Sequence, residues 1–171
     1  MIDYDLKKIK AFVFDVDGVL SSHKVFIFTD GELLRTASVK DGYAIQLALK
    51  KGLEIAIITG GFSVDVMARY QKLGVKHLYS CSFDKLDDYK DFLKKTHLKD
   101  KQVVYCGDDM PDYQVMKKVG LPVAPADAAS EIKKIAKYIS PLNGGEGVAR
   151  DIIEQTLKVQ GLWMDDDAFN W

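Results

Sequence analysis

Asp15 and Asp17 stand two residues apart in Phe14-Asp15-Val16-Asp17-Gly18, directly after the apolar run Ala11–Phe14. A second acidic group, Asp108, Asp109 and Asp112, follows the apolar run Val103–Cys106. Thr59 closes a third run, residues 55–58. If these runs are parallel strands of one sheet, five carboxylates and a hydroxyl converge on one edge. Crowded carboxylates repel and stay ionised only beside a counter-charge. Oxygen-only ligands suit a hard divalent cation, and Mg2+ suits a site with few carboxylates and several waters. A lone Asp-x-Asp would read as helix capping after a strand. Asp-x-Asp-Gly after one buried strand, Gly-Asp-Asp after another and a strand-end threonine favour a metal-holding crevice.

The elements that must position these groups follow from periodicity. The three runs are short, β-branched or aromatic and lack polar alternation, as central parallel strands do. His77–Tyr79 and Leu121–Ala124 are shorter candidates. Helical spacing fills residues 42–51, 63–73, 84–95, 111–119, 130–137 and 148–159. Strand–helix repetition predicts an α/β fold: a doubly wound, mainly parallel sheet with helices on both faces. Ligands then bind beyond the carboxyl ends of the strands. Residues 24–38 break the rhythm, because Thr29-Asp30-Gly31 separates two arms and predicts a projecting β-hairpin. Its first arm, Val25-Phe26-Ile27-Phe28, is apolar on both faces. Either it is tucked into the core or it meets another subunit, and the subunit contact is the favoured reading.

A chain of 171 residues, 47% hydrophobic and 29% charged, fits one domain with a substantial core. That domain is expected over residues 1–160, with residues 161–171 as an acidic, aromatic tail that is either mobile or docked on a neighbour. A formal charge of −1 leaves no basic field for nucleic acid or an anionic membrane. Apolar runs fall far short of the ~20 residues that span a bilayer, and the start MIDYDLKKIK is too charged for a signal peptide. The expected location is cytoplasmic. Cys81 and Cys106 show no ligand spacing and read as small core residues.

DVDGV, ITG, DKL and GDDMPD, in that order from Asp15 to Asp112, resemble the haloacid dehalogenase (HAD) superfamily of aspartyl-nucleophile phosphatases. The resemblance implies Asp15 as nucleophile and Asp17 as general acid and base. It implies Mg2+ held by the Asp15 carboxylate, the Asp17 backbone carbonyl and Asp108, with Asp109 and Asp112 behind them. Thr59 would donate to the phosphoryl group, and Lys85 would place positive charge on it and on Asp15. The intervals after Asp17 and after Thr59 are too short for an inserted cap, so the resemblance is to capless members.

Ser38-Val39-Lys40-Asp41-Gly42-Tyr43, His77-Leu78-Tyr79, the Gly-Asp-Asp segment and Gly144-Gly145-Glu146-Gly147 are similar to the 3-deoxy-D-manno-octulosonate 8-phosphate (KDO-8-phosphate) phosphatase family, over nearly all of residues 8–160. That family implies a homotetramer in lipopolysaccharide sugar synthesis. Its hairpins form a central barrel, a neighbour completes each site, and the glycine-rich C-terminal segment can fold over an active site. It implies substrate contacts at Ser38, Val39, Lys40, Asp41 and Gly42, at Thr59 and Gly60, and at Arg69 and Lys85. Two positions depart from the family, Gly61 and Gln46, where relatives often carry arginine. The departures keep open a nine-carbon acid as substrate, 2-keto-3-deoxynononate 9-phosphate or N-acylneuraminate 9-phosphate. Receiver domains also gather Asp, Thr and Lys around Mg2+, but their phosphate-accepting aspartate ends the third strand. A silent binding module that kept the fold has no support, since every catalytic position is filled.

Overall fold

Strands without polar alternation need cover on both faces, and here they have it. The computed structural model describes residues 2–170; Trp171, the last residue of the expected tail, lies outside the described residues, as does Met1. β1 (Ala11–Phe14) leads into β2 (Phe26–Ile27), β3 (Leu33–Leu34) and α1 (Val39–Lys50). β4 (Glu54–Ile58), α2 (Val64–Lys72), β5 (His77–Tyr79) and α3 (Lys85–Thr96) follow. Next come β6 (Val103–Cys106), α4 (Tyr113–Met116), β7 (Leu121–Ala124), α5 (Ser130–Ile135), β8 (Tyr138–Ile139) and α6 (Val148–Gln160). One sheet takes the order β5-β4-β1-β6-β7-β8, and every pairing in it is parallel. The chain winds outward from β1 to β5, returns, and winds outward again from β6. The strand order therefore reverses beside β1, where diverging loops leave a crevice.

Alternation along each strand divides the core. Phe12, Phe14, Ile55, Ile57, Val104 and Cys106 join the layer under α1, α2 and α6. Ala11, Val13, Ala56, Ile58, Val103 and Tyr105 join the layer under α3, α4 and α5. With both faces buried, the strand ends and their loops are left to carry polar chemistry.

Several expectations are corrected. The expected helix over 111–119 is a 3-10 turn, Met110–Asp112, followed by the single turn of α4. The Asp112 carboxylate accepts backbone N–H groups of Asp108 and Asp109 and tightens that start. α1 begins at Val39 rather than residue 42, because Ser38 caps it and accepts from the Asp41 N–H at 3.2 Å. β8 is an edge strand too short to show in periodicity. Cys81 is exposed and has φ +54°, so only Cys106 is a core cysteine.

The hairpin pairs Phe26 with Leu34 and Ile27 with Leu33, closed by a turn with Gly31 at φ +88°. It is not tucked into the core: Phe26 is 69% and Ile27 74% exposed. The tail, in contrast, folds onto its own chain. Trp163 is buried against Tyr43 and beneath the Arg150 guanidinium, 4.4 Å from its ring centre. Lys51 pairs with Asp165 and Asp167, and Lys50 donates to the Asn170 carbonyl at 2.8 Å. No helix among the described residues is long and apolar enough to cross a membrane.

Candidate active site

Beyond Phe14 the chain must leave the sheet, and it does so in a tight turn. The Ser21 N–H donates to the Val16 carbonyl at 2.8 Å, and Gly18 takes φ +82°. A Cβ on Gly18 would stand 2.0 Å from Asp108 Oδ2, so only a glycine lets the β6 end close on the β1 end. Gly144 abuts the same turn, where a Cβ would lie 2.0 Å from the Gly18 carbonyl oxygen. The Gly145 N–H donates to the Val19 carbonyl at 2.9 Å. The glycine-rich segment is thus seated against this chain's own residues 18–22.

Asp15, Asp108 and Asp112 bring one carboxylate oxygen each within 4.8 Å of one another. Asp84 caps α3, accepting from the Leu86 N–H at 2.9 Å, and sets Lys85 at the helix start. Lys85 Nζ lies 2.9 Å from Asp15 Oδ2 and 2.7 Å from Asp112 Oδ1, with only 5% of its side chain exposed. Asp112 Oδ1 also accepts from the Tyr105 hydroxyl at 2.7 Å. Its Oδ2 accepts from the N–H groups of Asp108 at 3.0 Å and Asp109 at 3.4 Å. Four donors occupy Asp112, which therefore anchors Lys85 and the β6 loop.

Burial, then the charge of Asp112, pushes the Asp15 carboxyl up to about 7 against the pull of Lys85. Burial, then Asp15 and Asp112, pushes Asp108 up to about 7 as well. Burial works against the Lys85 ammonium, but Asp15 and Asp112 outweigh it and hold its pKa above the ordinary value. One ammonium cannot balance three carboxylates. Oxygen-only donors short of positive charge are what a hard divalent cation fits.

A cavity of about 610 Å³ opens here, with Asp15, Asp17, Thr59, Gly60 and Lys85 in its wall. Cys81, Ser82 and Gln114 line it too. Thr59 is 4% exposed, and its Oγ1 accepts from the Gly61 N–H at 3.2 Å, which leaves its own proton to donate into the cavity. Asp17 carries a partner that the sequence reading passes over. Arg35 Nε donates to its Oδ1 at 2.7 Å and Arg35 Nη2 to its Oδ2 at 3.0 Å. The only signal in sequence was that the hairpin holds a single arginine.

Other expected site residues are not gathered at this cavity within one chain. Asp41 is fully buried and accepts from the Arg150 N–H at 2.7 Å, and burial pushes its carboxyl up to about 6. Gly42 faces Arg69 and Leu73 inside the fold. Helix α1 turns both Asp41 and Gly42 inward. Ser38 is the helix cap, and Val39 is 66% exposed. Lys40 lines a separate cavity of about 550 Å³ with Glu146 and Arg150. Arg69 lines a third, of about 120 Å³, and donates to the Ser38 carbonyl at 3.4 Å. Asp109 is exposed and accepts from the Met110 N–H at 2.8 Å, outside the three-carboxylate group.

Comparison with known proteins identifies the family. A family model of haloacid dehalogenase-like hydrolases matches residues 77–152. The chain is 40% identical over 155 residues to the 3-deoxy-D-manno-octulosonate 8-phosphate phosphatase KdsC of Escherichia coli, across 91% of this chain and 82% of that protein. A structure of the phosphatase of that name from Moraxella catarrhalis, in complex with magnesium, phosphate and KDO, aligns with TM-score 0.87 and 31% identity. That alignment spans 91% of this chain and 90% of the other. The cobalt-bound Haemophilus influenzae phosphatase aligns with TM-score 0.90 and 27% identity, over 96% of this chain and 98% of that one. Similar structures hold divalent metals, and the cluster of Asp15, Asp108 and Asp112 has the donor chemistry for one.

Proposed function

The chain belongs to the KDO-8-phosphate phosphatase family of haloacid dehalogenase-like hydrolases, and we propose that it is a phosphoric monoester hydrolase that converts KDO-8-phosphate to KDO and inorganic phosphate. The observation that carries this reading is the Lys85 bridge between Asp15 and Asp112 beside Asp108, with Asp15 and Lys85 on the wall of the strand-end cavity.

In this reading the Asp15 carboxylate attacks phosphorus while the bond to the sugar oxygen breaks. Asp17 gives that oxygen a proton, so the sugar leaves as an alcohol. Asp17 then takes a proton from water, which attacks the aspartyl phosphate, frees phosphate and restores Asp15. Mg2+ held by Asp15, Asp108 and the Asp17 backbone carbonyl would neutralise the charge on nucleophile and phosphoryl oxygens. Lys85 lies against Asp15 and supplies fixed positive charge that needs no rearrangement as the transition state forms. Thr59 donates to a phosphoryl oxygen.

Residues 1–160 act as one phosphatase domain. The exposed apolar hairpin supports a homotetramer in which a neighbour covers each open site, and Val39, Lys40 and Arg69 would contribute there. A cytoplasmic location and a role in lipopolysaccharide sugar synthesis come with the family. The test is colorimetric phosphate release from KDO-8-phosphate with Mg2+. Turnover should vanish on chelation, return with Mg2+, and be absent in Asp15→Asn. A higher kcat/KM on a nine-carbon acid phosphate would reassign the substrate; no release from any of them would overturn the reading.

A further inference from the structure

Arg35 comes from an otherwise exposed hairpin, yet its side chain is only 6% exposed. Leu33 and Leu34, just before it, are 39% and 49% exposed. The return arm therefore turns one side chain inward, and that side chain meets Asp17. The contact is a fork on a fork, with each carboxylate oxygen taking one N–H from the planar guanidinium. Hydrogen bonding to Asp17 outweighs burial and holds the pKa of Arg35 above its ordinary value, so the guanidinium keeps its charge throughout the proton transfer.

The space for this fork is made elsewhere in the chain. A Cβ on Gly61 would lie 3.0 Å from Arg35 Nη2, 3.5 Å from Asp17 Oδ2 and 3.7 Å from Thr59 Oγ1. The bare backbone at Gly61 is thus the seat of the guanidinium, and any side chain there would press on the fork. Three segments meet at this point: the β1 turn with Asp17, the β4 end with Thr59 and Gly61, and the hairpin base with Arg35. Without the fork, no other side chain among the described residues holds both oxygens of Asp17, 39% exposed, in one orientation.

We propose that Arg35, seated on Gly61, is a positioning residue that fixes the Asp17 carboxylate for proton transfer and ties the competence of the site to the folded hairpin. The proposal rests on the phosphatase reading above. A lysine cannot reproduce it fully, because an ammonium is a point charge without the planar fork. Free guanidinium ion can reproduce it, because the seat on Gly61 remains when the arginine side chain is removed.

The experiment measures kcat and KM on KDO-8-phosphate with Mg2+ for wild type, Arg35→Ala, Arg35→Lys and Gly61→Ala, with melting temperatures alongside. Loss of a group that orients a working side chain costs about 10- to 100-fold. That fall is expected in kcat for Arg35→Ala, with KM little changed and Arg35→Lys intermediate. Added guanidinium, far below denaturing concentration, should raise kcat of Arg35→Ala and leave wild type unmoved. Gly61→Ala should lower kcat alone but add nothing to Arg35→Ala, since both break one contact. Wild-type kcat in Arg35→Ala overturns the proposal, as does a loss that guanidinium fails to rescue. If Arg35→Ala does not fold, Arg35→Lys and Gly61→Ala carry the test, and full kcat in both overturns it. A wild type that releases no phosphate overturns the phosphatase reading itself, and this proposal with it.

Discussion

Replacing Lys85 by methionine keeps most of the side-chain volume and removes the charge from the middle of the carboxylate group. Its Nζ lies 2.9 Å from Asp15 Oδ2 and 2.7 Å from Asp112 Oδ1. At an effective dielectric of about 20, each contact is a gross attraction of about 6 kcal/mol. Desolvation offsets much of that, and removing one partner of a buried pair has a net cost of about 3–5 kcal/mol. The cost should depend on pH. Asp15, already pushed up to about 7, is driven higher once the ammonium is gone, so the variant tolerates a protonated Asp15 and not an ionised one. Its deficit against wild type is therefore smaller at pH 5, where the lost contact to Asp112 still counts, and grows as pH rises through 7. Urea titrations in chelator at pH 5 and pH 8 would measure this. In the Mg2+-loaded protein, loss of a preorganised positive charge should lower kcat about 100- to 1,000-fold. Single-turnover phosphate release at a temperature where the variant is folded would check that. Near-wild-type turnover would remove Lys85 from the chemistry, and a pH-independent deficit would refute the charge reasoning.

Three further outcomes are expected. Asp41→Asn should gain on wild type as pH rises, because a buried carboxyl raised from 3.8 to about 6 stabilises the fold below about pH 4 and loses that contribution by pH 7. The relative gain is up to about 3 kcal/mol, read from denaturant midpoints at pH 4 and 8; parallel curves would refute it. Ile27→Asp, on the exposed hairpin, should shift sedimentation velocity toward smaller species with an unchanged far-ultraviolet spectrum. An unaltered sedimentation profile would remove the hairpin from assembly. Trp163→Ala should cost about 3 kcal/mol of stability, since the indole is buried against α1 and α6. Intact stability with an altered kcat would instead make the tail a participant in turnover.

That Asp15, Asp17, Thr59 and Asp108 gather at one sheet edge was legible because each follows a parallel strand; Lys85, at the start of α3, came only through the family resemblance. Asp112 was half legible. Its segment was plain, but its anchoring of Lys85 depends on Tyr105 from β6, whose hydroxyl no periodicity can aim. The helix that periodicity opens at Gly42 already begins at Val39, because Ser38 caps it, and Arg69, from α2, lies over Gly42. Arg35 escaped for the same reason: its partner is another segment, and hairpin arms do not mark which side chain turns in. The docked tail depends on Tyr43, Lys50 and Lys51, more than a hundred residues earlier. Its aromatic and acidic letters therefore left two readings open.

The close approach of Gly144 to the Gly18 carbonyl has a practical consequence for anyone hardening this enzyme against heat. Exchanging loop glycines for alanine is a common stabilising substitution, because it narrows the freedom of the unfolded chain. At this position the added methyl would wedge into the turn between Asp17 and Val19. The displacement would travel into the nucleophile's own strand end before any gain in rigidity was felt. Thermal tolerance and turnover would both be lost at a single methyl group, in a loop more than a hundred residues from Asp15 and Asp17.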